Sequence, residues 1–212
     1  MDYLVSPHGG QLCNVVVDEE QAEVLRVASN DYQSITLNQR QLCDLELLMS
    51  GGLSPLRGFM DRAAYESVVD NLHLPDGTLW SIPVVLDVSA GQAEKIELGE
   101  RLALRDDEGF MLAVLEVEDK WQPDRQLEAT GVYGTSSTDH PGVRYLLEQT
   151  GDTCVGGTVT GVQLPIHYDF ETLRDTPEEL RHLIVKMGWK NVIGFHTGKP
   201  MHRVHREITM QA

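Results

Sequence analysis

The stretch "ERLALRDDEGFMLAVLEVE", residues 100–118, decides the fold of the larger part of the chain. It contains two apolar runs, 100–105 and 110–118, separated by the acidic, glycine-containing segment 106–109. Two such runs joined by a short turn are typical of a β-hairpin. Because an isolated hairpin is marginally stable in water, we expect it to belong to a larger sheet covered by other elements.

The flanking sequence supplies candidates for both the sheet and its cover. "SIPVVLDVS" (81–89) and "GGTVTGVQLP" (156–165) are predicted strands. Apolar residues at helical spacing predict three helices before these strands and one helix after the hairpin. The last helix follows a polar loop from residue 131 and opens at Pro141. These helices are predicted over 18–29, 37–52, 61–71 and 141–151. We therefore expect an α+β domain in which a small β-barrel or sheet packs on helices.

The organisation of the sequence changes from about residue 168, and residues 168–212 are called the tail below. Thr176 and Glu179 form a capping-box pattern, and Gly188 marks the expected end of that helix. "KNVIGF" (190–195) is a continuous apolar run, which predicts a buried parallel strand. The loop "HTGKP" (196–200) then leads into a helix expected to start near its proline. Helix, strand, loop and helix in this order are typical of the opening of an α/β nucleotide-binding domain.

Composition limits the classes of partner. The chain has 33 acidic and 17 basic side chains and a formal net charge of −16. Such a charge repels phosphate backbones and anionic lipids, so nucleic acid and membranes are not expected as partners. An anionic substrate would need a local positive site, and the best candidate is the cluster of Lys199, Arg203 and Arg206.

The cysteines and the termini point to an intracellular protein. Cys13, Cys43 and Cys154 are widely spaced, so we interpret them as buried, reduced thiols rather than as a disulfide or zinc framework. The sequence shows neither a secretory signal nor a run of about 20 apolar residues that could span a bilayer. These patterns predict a cytoplasmic protein.

The last part of the chain carries the residues best suited to chemistry. His202 and His205 are three positions apart, so they should share one face of the first helical turn. With Lys199 and the positive end of the helix dipole, their imidazoles could donate hydrogen bonds to the oxygens of a triphosphate. A histidine pair at this spacing can also be purely structural, and a zinc site is not expected because further ligands are missing.

Four motifs, taken in order, resemble those of the ATP sulfurylase (sulfate adenylyltransferase) family. They are "LVSPHGGQL" (4–12), "LNQRQLCDLELLMSGGLSPLRGFM" (37–60), "GVYGTSSTDHPGVRYLLE" (131–148) and "PMHRVHREIT" (200–209). The resemblance implies a PUA-like β-barrel domain at 1–167 and the beginning of a Rossmann-like nucleotidyltransferase domain at 168–212. It also implies the reaction of Mg²⁺-bound ATP with sulfate to give adenylyl sulfate and pyrophosphate, with roles in sulfate assimilation. A homo-oligomer is implied for the full-length form.

The resemblance assigns roles to individual residues of the tail. Thr197, His202 and His205 match the family motif, which implies that they are catalytic. His196, Gly198 and Lys199 occupy the neighbouring positions implied to bind ATP and sulfate, and no residue is expected to hold a metal. The family motif usually reads Gln-Thr-Arg-Asn-Pro, whereas this chain reads His-Thr-Gly-Lys-Pro. A glycine in place of the arginine removes a bidentate anion contact, which a lysine does not fully replace.

Two further expectations concern the whole chain. Family members continue well beyond the histidine motif, so we expect this chain to be a truncated or divergent form with little activity alone. In that case the apolar run 190–195 would lack its covering layers and be left exposed. The alternative is a non-catalytic module, in which the PUA-like domain acts as a scaffold or in oligomerisation. RNA binding through that domain is disfavoured by the net charge.

Overall fold

The computed structural model describes residues 4–211, which contain eight α-helices and six β-strands. The helices are α1 Glu19–Ala28, α2 Gln39–Ser50, α3 Arg62–Asn71, α4 Ala90–Ala93, α5 Arg125–Tyr133, α6 Pro141–Glu148, α7 Pro177–Met187 and α8 Arg203–Gln211. The strands are β1 Gln33–Thr36, β2 Gly58–Phe59, β3 Leu86–Val88, β4 Arg101–Arg105, β5 Met111–Trp121 and β6 Thr153–Gly161.

All six strands belong to one mixed sheet. Its order is β1-β4-β5-β6-β2, and β3 also pairs with β6. Only β1 and β4 run parallel, while the other pairs are antiparallel. The predicted hairpin is confirmed as the pair β4 and β5, with Leu102 opposite Leu115. The sheet is open, and β6 lies inside it rather than at a closing edge.

The helix α2 shows how the sequence directs both local structure and packing. Asn38 and Gln41 form a capping box at its start, and Gly51 ends it in the left-handed conformation at a φ of 86°. Leu45 and Leu48 are fully buried in the main core, which the sheet, α2 and α3 share. The predicted helix and its apolar stripe are therefore confirmed.

Glycines allow β2 to lie unusually close to β6. A Cβ atom on Gly58 would lie 2.0 Å from the carbonyl oxygen of Gly157, and a Cβ atom on Gly157 would lie 1.9 Å from that of Glu116. No side chain fits at such distances without moving the backbone. Gly58 thus allows the short β2 strand to lie against β6, and Gly157 allows β6 to lie against β5.

Two secondary-structure predictions in the first domain need correction. The strand predicted at 81–89 is confined to Leu86–Val88, because only those residues pair with β6. The loop predicted from residue 131 begins later, because 125–133 forms α5, which is capped by the Asp124 side chain and ended by Gly134. The apolar periodicity of α5 is weak because Glu128, a charged residue, occupies a buried position.

The tail differs from the sequence prediction in one important respect. The helix α7 has the predicted capping box and ends at Gly188, but residues 190–195 form no strand. Val192 and Ile193 are 54% and 66% exposed. Within residues 4–211 no other strand lies beside this run, and a parallel strand cannot form without one. The prediction of a buried strand was therefore wrong, and the expectation of exposed apolar residues is confirmed.

The cysteines are free thiols, but they differ in environment. Cys13 and Cys154 are buried as predicted, whereas Cys43 is exposed on α2, so the prediction of a buried thiol was wrong there. Cys43 follows Leu42 on the helix and falls outside the buried stripe. Across residues 4–211, none of the helices combines the length and the apolar character needed to cross a membrane.

Candidate functional site

The two histidines of the tail lie together at the start of α8. The helix begins at Arg203, three residues later than the sequence predicts, so His202 stands just before it. The backbone N–H of Arg206 donates to the carbonyl oxygen of His202 over 3.1 Å. The rings of His202 and His205 stack with their centroids 3.9 Å apart and an angle of 28° between planes. The structure thus brings the predicted pair together on one side of the first turn.

The two rings differ in their surroundings. His202 is exposed, whereas His205 is half-buried and packs against the Phe195 ring at a centroid distance of 5.7 Å. The Nδ1 atom of His205 is enclosed, and within residues 4–211 no group forms a hydrogen bond with it. A buried nitrogen without a partner is unfavourable, so this atom has unused hydrogen-bonding capacity.

The loop 196–200 is folded by a local turn. The hydroxyl of Thr197 accepts from the backbone N–H of Lys199 and donates to its carbonyl oxygen, both over 3.2 Å. His196, Gly198 and Lys199 are all exposed, and a Cβ atom on Gly198 would meet nothing within 4 Å. The loop therefore leaves open the space where the family motif has an arginine side chain.

Electrostatically, the tail offers a small cationic surface. Lys199 and Arg203 are exposed, while the guanidinium of Arg206 pairs with Glu207 at 2.8 Å. Together with the helix N-terminus, these groups and the two imidazoles can attract an anion. Their exposure to water keeps such an attraction weak.

The loop preceding α6 performs a structural role. The Nδ1 atom of His140 accepts from the backbone N–H of Val143 at 3.4 Å and caps α6. The guanidinium of Arg144 donates to the carbonyl oxygen of Thr138 over 2.9 Å. These bonds fix the backbone of the loop at the start of α6.

A second candidate site lies in the first domain, and the sequence did not predict it. A cavity of about 470 Å³ opens between α2, α5, α6 and the segment 79–85. Its lining includes the ion pair of Arg40 with Asp44, at 2.6 Å, and that of Arg125 with Glu128, at 2.8 Å. The side chains come from distant parts of the chain, so no local motif could have indicated the cavity.

Burial perturbs the ionisable groups around this cavity. It raises the pKa of the Asp44 carboxyl, an effect that the neighbouring Arg40 only partly opposes. Burial and the carboxylate of Glu128 raise the pKa of the Tyr65 phenol, which donates a hydrogen bond of 2.8 Å to Glu128. Burial also raises the pKa of the Cys154 thiol to about 12. Cys154 is thus protonated at neutral pH and is not a nucleophile.

Family models match both parts of the chain. A model described as a PUA-like domain matches residues 5–164, and one described as ATP-sulfurylase matches residues 171–212. The predicted order of a PUA-like domain followed by a short ATP-sulfurylase segment is confirmed.

Curated relatives support the same resemblance. A sulfate adenylyltransferase of Kluyveromyces lactis is 44% identical over 210 residues, which cover 98% of this chain and 42% of the relative. A sulfate adenylyltransferase of Saccharomyces cerevisiae is 42% identical, covering 98% of this chain and 41% of the relative. The chain therefore spans about two fifths of the length of the curated relatives that it matches.

A solved structure has the same fold over this region. It is described as a hexameric APS kinase from Thiobacillus denitrificans, and it matches with a TM-score of 0.79 and 36% identity. The match covers 98% of this chain and 37% of that one.

Proposed function

Because the chain belongs to the PUA-like domain family and continues into an ATP-sulfurylase match, we propose that it contributes to sulfate adenylyltransferase activity. In this reaction a sulfate oxygen forms a bond to the α-phosphorus of ATP, and the bond to the pyrophosphate leaving group breaks. The products are adenylyl sulfate and pyrophosphate. ATP, sulfate and these products are accordingly the proposed ligands.

The stacked pair of His202 and His205 carries this proposal. Negative charge increases on the phosphate oxygens as the α-phosphorus is attacked, and imidazole N–H groups can stabilise it by hydrogen bonds. The side chains stand at the N-terminus of α8, where the helix dipole favours anions. We propose that Thr197 acts with them, since its hydroxyl already organises the turn before the helix.

His196, Gly198 and Lys199 define the proposed anion-binding loop. Lys199 is an exposed point charge, and Gly198 provides no side-chain contact. An arginine at the glycine position would hold two oxygens of one anion in a fixed geometry, which a flexible lysine does less well. We therefore propose that this loop binds sulfate and phosphate weakly, and that the chain alone has little activity.

Magnesium enters this proposal as part of the substrate Mg-ATP. Among residues 4–211, no cluster of three or more histidine, cysteine, aspartate or glutamate side chains is placed to hold a metal ion. Mg²⁺ in nucleotide sites is commonly held largely by the phosphates and water. The side chains of the tail would thus bind the complex through its phosphate oxygens.

The cellular setting is also a proposal. A role in sulfate assimilation in the cytoplasm fits the sulfate adenylyltransferase relatives and the free thiols. Assembly into a homo-oligomer fits the similarity to a hexameric APS kinase. A large exposed apolar surface in the tail would be reduced by such assembly.

A scaffold without catalysis is the second candidate function. It is favoured by one contrast: the first domain has a complete core, whereas every residue from 189 to 204 is exposed. Under this alternative the PUA-like domain would support oligomerisation, and the histidine pair would be retained without turnover.

The decisive test is the formation of ATP from adenylyl sulfate and pyrophosphate. It should be run on the 212-residue chain and on a version joined to the downstream catalytic segment of a relative. We expect activity only in the joined version, with a loss of at least about a hundredfold in His202→Ala or His205→Ala. A gain on changing Gly198→Arg together with Lys199→Asn would identify the loop as limiting. If the joined protein folded but stayed inactive with the native loop and also with the substituted loop, the scaffold function would be favoured.

A further inference from the structure

The cavity of the first domain has the dimensions of a small-molecule site. Its volume of about 470 Å³ falls within the range of ligand pockets. It lies in the PUA-like domain and shares no lining residue with the histidine tail. Its chemistry therefore requires a separate explanation.

Each guanidinium group of the cavity already donates hydrogen bonds to the protein. All three guanidinium nitrogens of Arg40 have partners, namely Asp44, Asp87 and the Tyr145 hydroxyl. Both terminal nitrogens of Arg125 donate to protein groups, and its Nε atom is enclosed and inaccessible. Both guanidinium groups are thus already paired with carboxylates, which weakens their attraction for an anionic ligand.

Acceptors, by contrast, remain available. Glu128 is only 6% exposed, and its Oε2 atom accepts from Tyr65 and Arg125. For its Oε1 atom, no hydrogen bond is found in the described part of the chain, and this atom is not sealed from the cavity. The side chain of Asp44 is 24% exposed, and only its Oδ2 atom contacts Arg40, so its Oδ1 atom is accessible to solvent or to a ligand. Carboxylate oxygens that are accessible and lack a protein donor can accept hydrogen bonds from a ligand that supplies donors.

The charges of the lining point in the same direction. The carboxylates of Asp44, Asp87 and Glu128 outnumber the guanidinium groups of Arg40 and Arg125 by one. Burial weakens the solvation of this excess charge, so one additional positive charge would stabilise the cluster. The net charge of −16 on the whole chain also attracts cations to the surface around the opening.

The walls are suited to the apolar part of such a ligand. The half-buried rings of Trp80 and Tyr133 line the cavity and can contact both a hydrocarbon body and a positive charge. At the opening, Leu79 and Ile82 are 61% and 53% exposed. Exposed apolar residues around a cavity with buried carboxylates are typical of a site for an amphipathic ligand.

We propose that this cavity binds a small organic cation, a primary ammonium or guanidinium group on an apolar body, with the charge placed against Glu128 and Asp44. The ligand donates to the free Oε1 and Oδ1 atoms, and its body packs on Trp80 and Tyr133. Neither binding nor its test depends on adenylyl transfer.

The test uses three probes of similar shape and different charge on the 212-residue chain. These are 2-phenylethylammonium, the neutral 2-phenylethanol and the anionic phenylacetate, titrated by calorimetry at neutral pH. We expect saturable one-to-one binding of the ammonium and at least tenfold weaker binding of the alcohol. Failure of the ammonium to saturate, equal affinity for the alcohol, or preferential binding of phenylacetate would overturn the proposal.

Variants assign the binding to this cavity. Asp44→Asn removes one charge while keeping the size of the side chain, and it should weaken ammonium binding at least threefold. Glu66→Gln is the matched control, because this carboxylate lies on α3 outside the cavity and pairs with Arg62. If Asp44→Asn does not fold by circular dichroism, Trp80→Leu replaces it. Unchanged affinity in a folded cavity variant, or an equal loss in Glu66→Gln, would contradict the assignment.

Discussion

At the scale of single residues, Asp87 connects more structural elements than its position suggests. Its carboxylate is almost fully buried and accepts from Arg40, from Gln41 and from the backbone N–H of Gly151. These bonds tie α2 and the segment just before β6 to β3. Asp87 thus stabilises both the sheet, as a residue of β3, and the wall of the cavity, which it lines.

We predict that Asp87→Ala destabilises the first domain by about 2–4 kcal/mol, because Arg40 loses its most deeply buried carboxylate partner and Gln41 and the Gly151 N–H lose their acceptor. Urea unfolding followed by circular dichroism measures the loss. The control is Asp107→Ala, which changes an exposed residue of the hairpin turn and should shift the midpoint little. Comparable losses in the two variants would contradict the structural role of Asp87.

The three cysteines should react at very different rates. Burial holds the pKa of Cys154 at about 12, so its reactive thiolate is scarce at pH 8, and Cys13 is also buried. We predict that an aromatic disulfide reagent modifies one thiol rapidly, the exposed Cys43, and the other two only after unfolding. Cys43→Ser should abolish the fast phase. A fast phase that persisted in this variant would show that a buried thiol is accessible.

At the scale of elements, the contact of β2 with β6 depends on glycine. A methyl group on Gly58 would meet the backbone of Gly157 at 2.0 Å, so pairing would be lost. We predict that Gly58→Ala destabilises the domain by about 2–4 kcal/mol, within the range of severe core overpacking. Thermal unfolding at equal concentration provides the measurement.

Gly91 is the matched control for this substitution. It lies in α4, and a Cβ atom added to it would meet nothing within 4 Å, so Gly91→Ala should be neutral or stabilise by about 0.5–1 kcal/mol. If both alanine variants behaved alike, the close approach of β2 and β6 would not matter for stability.

Local signals predicted some elements well and others poorly. The hairpin and the capped helices α2, α3 and α7 follow from patterns contained within each segment. The helix α5 was missed because a charged residue, Glu128, is buried in it, and one of the two partners that satisfy this carboxylate, Tyr65, is 63 residues away. The strand predicted at 190–195 failed for a related reason, since strand formation depends on a neighbour and not on the apolar run alone.

The two sites show the same limit. The histidine pair was predictable from its spacing, because i and i+3 positions meet on any helix. The enclosure of the His205 Nδ1 atom was not predictable, since it depends on the packing of the Phe195 ring against this histidine. The cavity combines residues as far apart as His8 and Thr150, so only the folded chain brings them together.

At the scale of the whole molecule, the tail exposes a run of apolar side chains. Those more than 40% exposed include Trp189, Val192, Ile193, Phe195, Met201, Val204, Ile208 and Met210. A surface of this kind favours association between molecules. We predict that the 212-residue chain associates in a concentration-dependent manner and that Val192→Lys with Ile193→Lys suppresses it.

Sedimentation velocity over a range of concentrations measures this association. Val24→Lys is the control, because Val24 is 65% exposed on α1, far from this run in the sequence. It should leave the association unchanged. A chain that remained monomeric throughout, or equal suppression by the control, would contradict a role for the tail.

The position of β6 within the sheet has a consequence for protein synthesis. This strand pairs with β5, β2 and β3, yet it is the last of the six to be translated. Until residue 161 has left the ribosome, those three strands lack their shared neighbour and present unpaired edges. During this interval the nascent chain exposes strand edges that favour association with other chains, and a pause in translation before β6 would prolong that exposure.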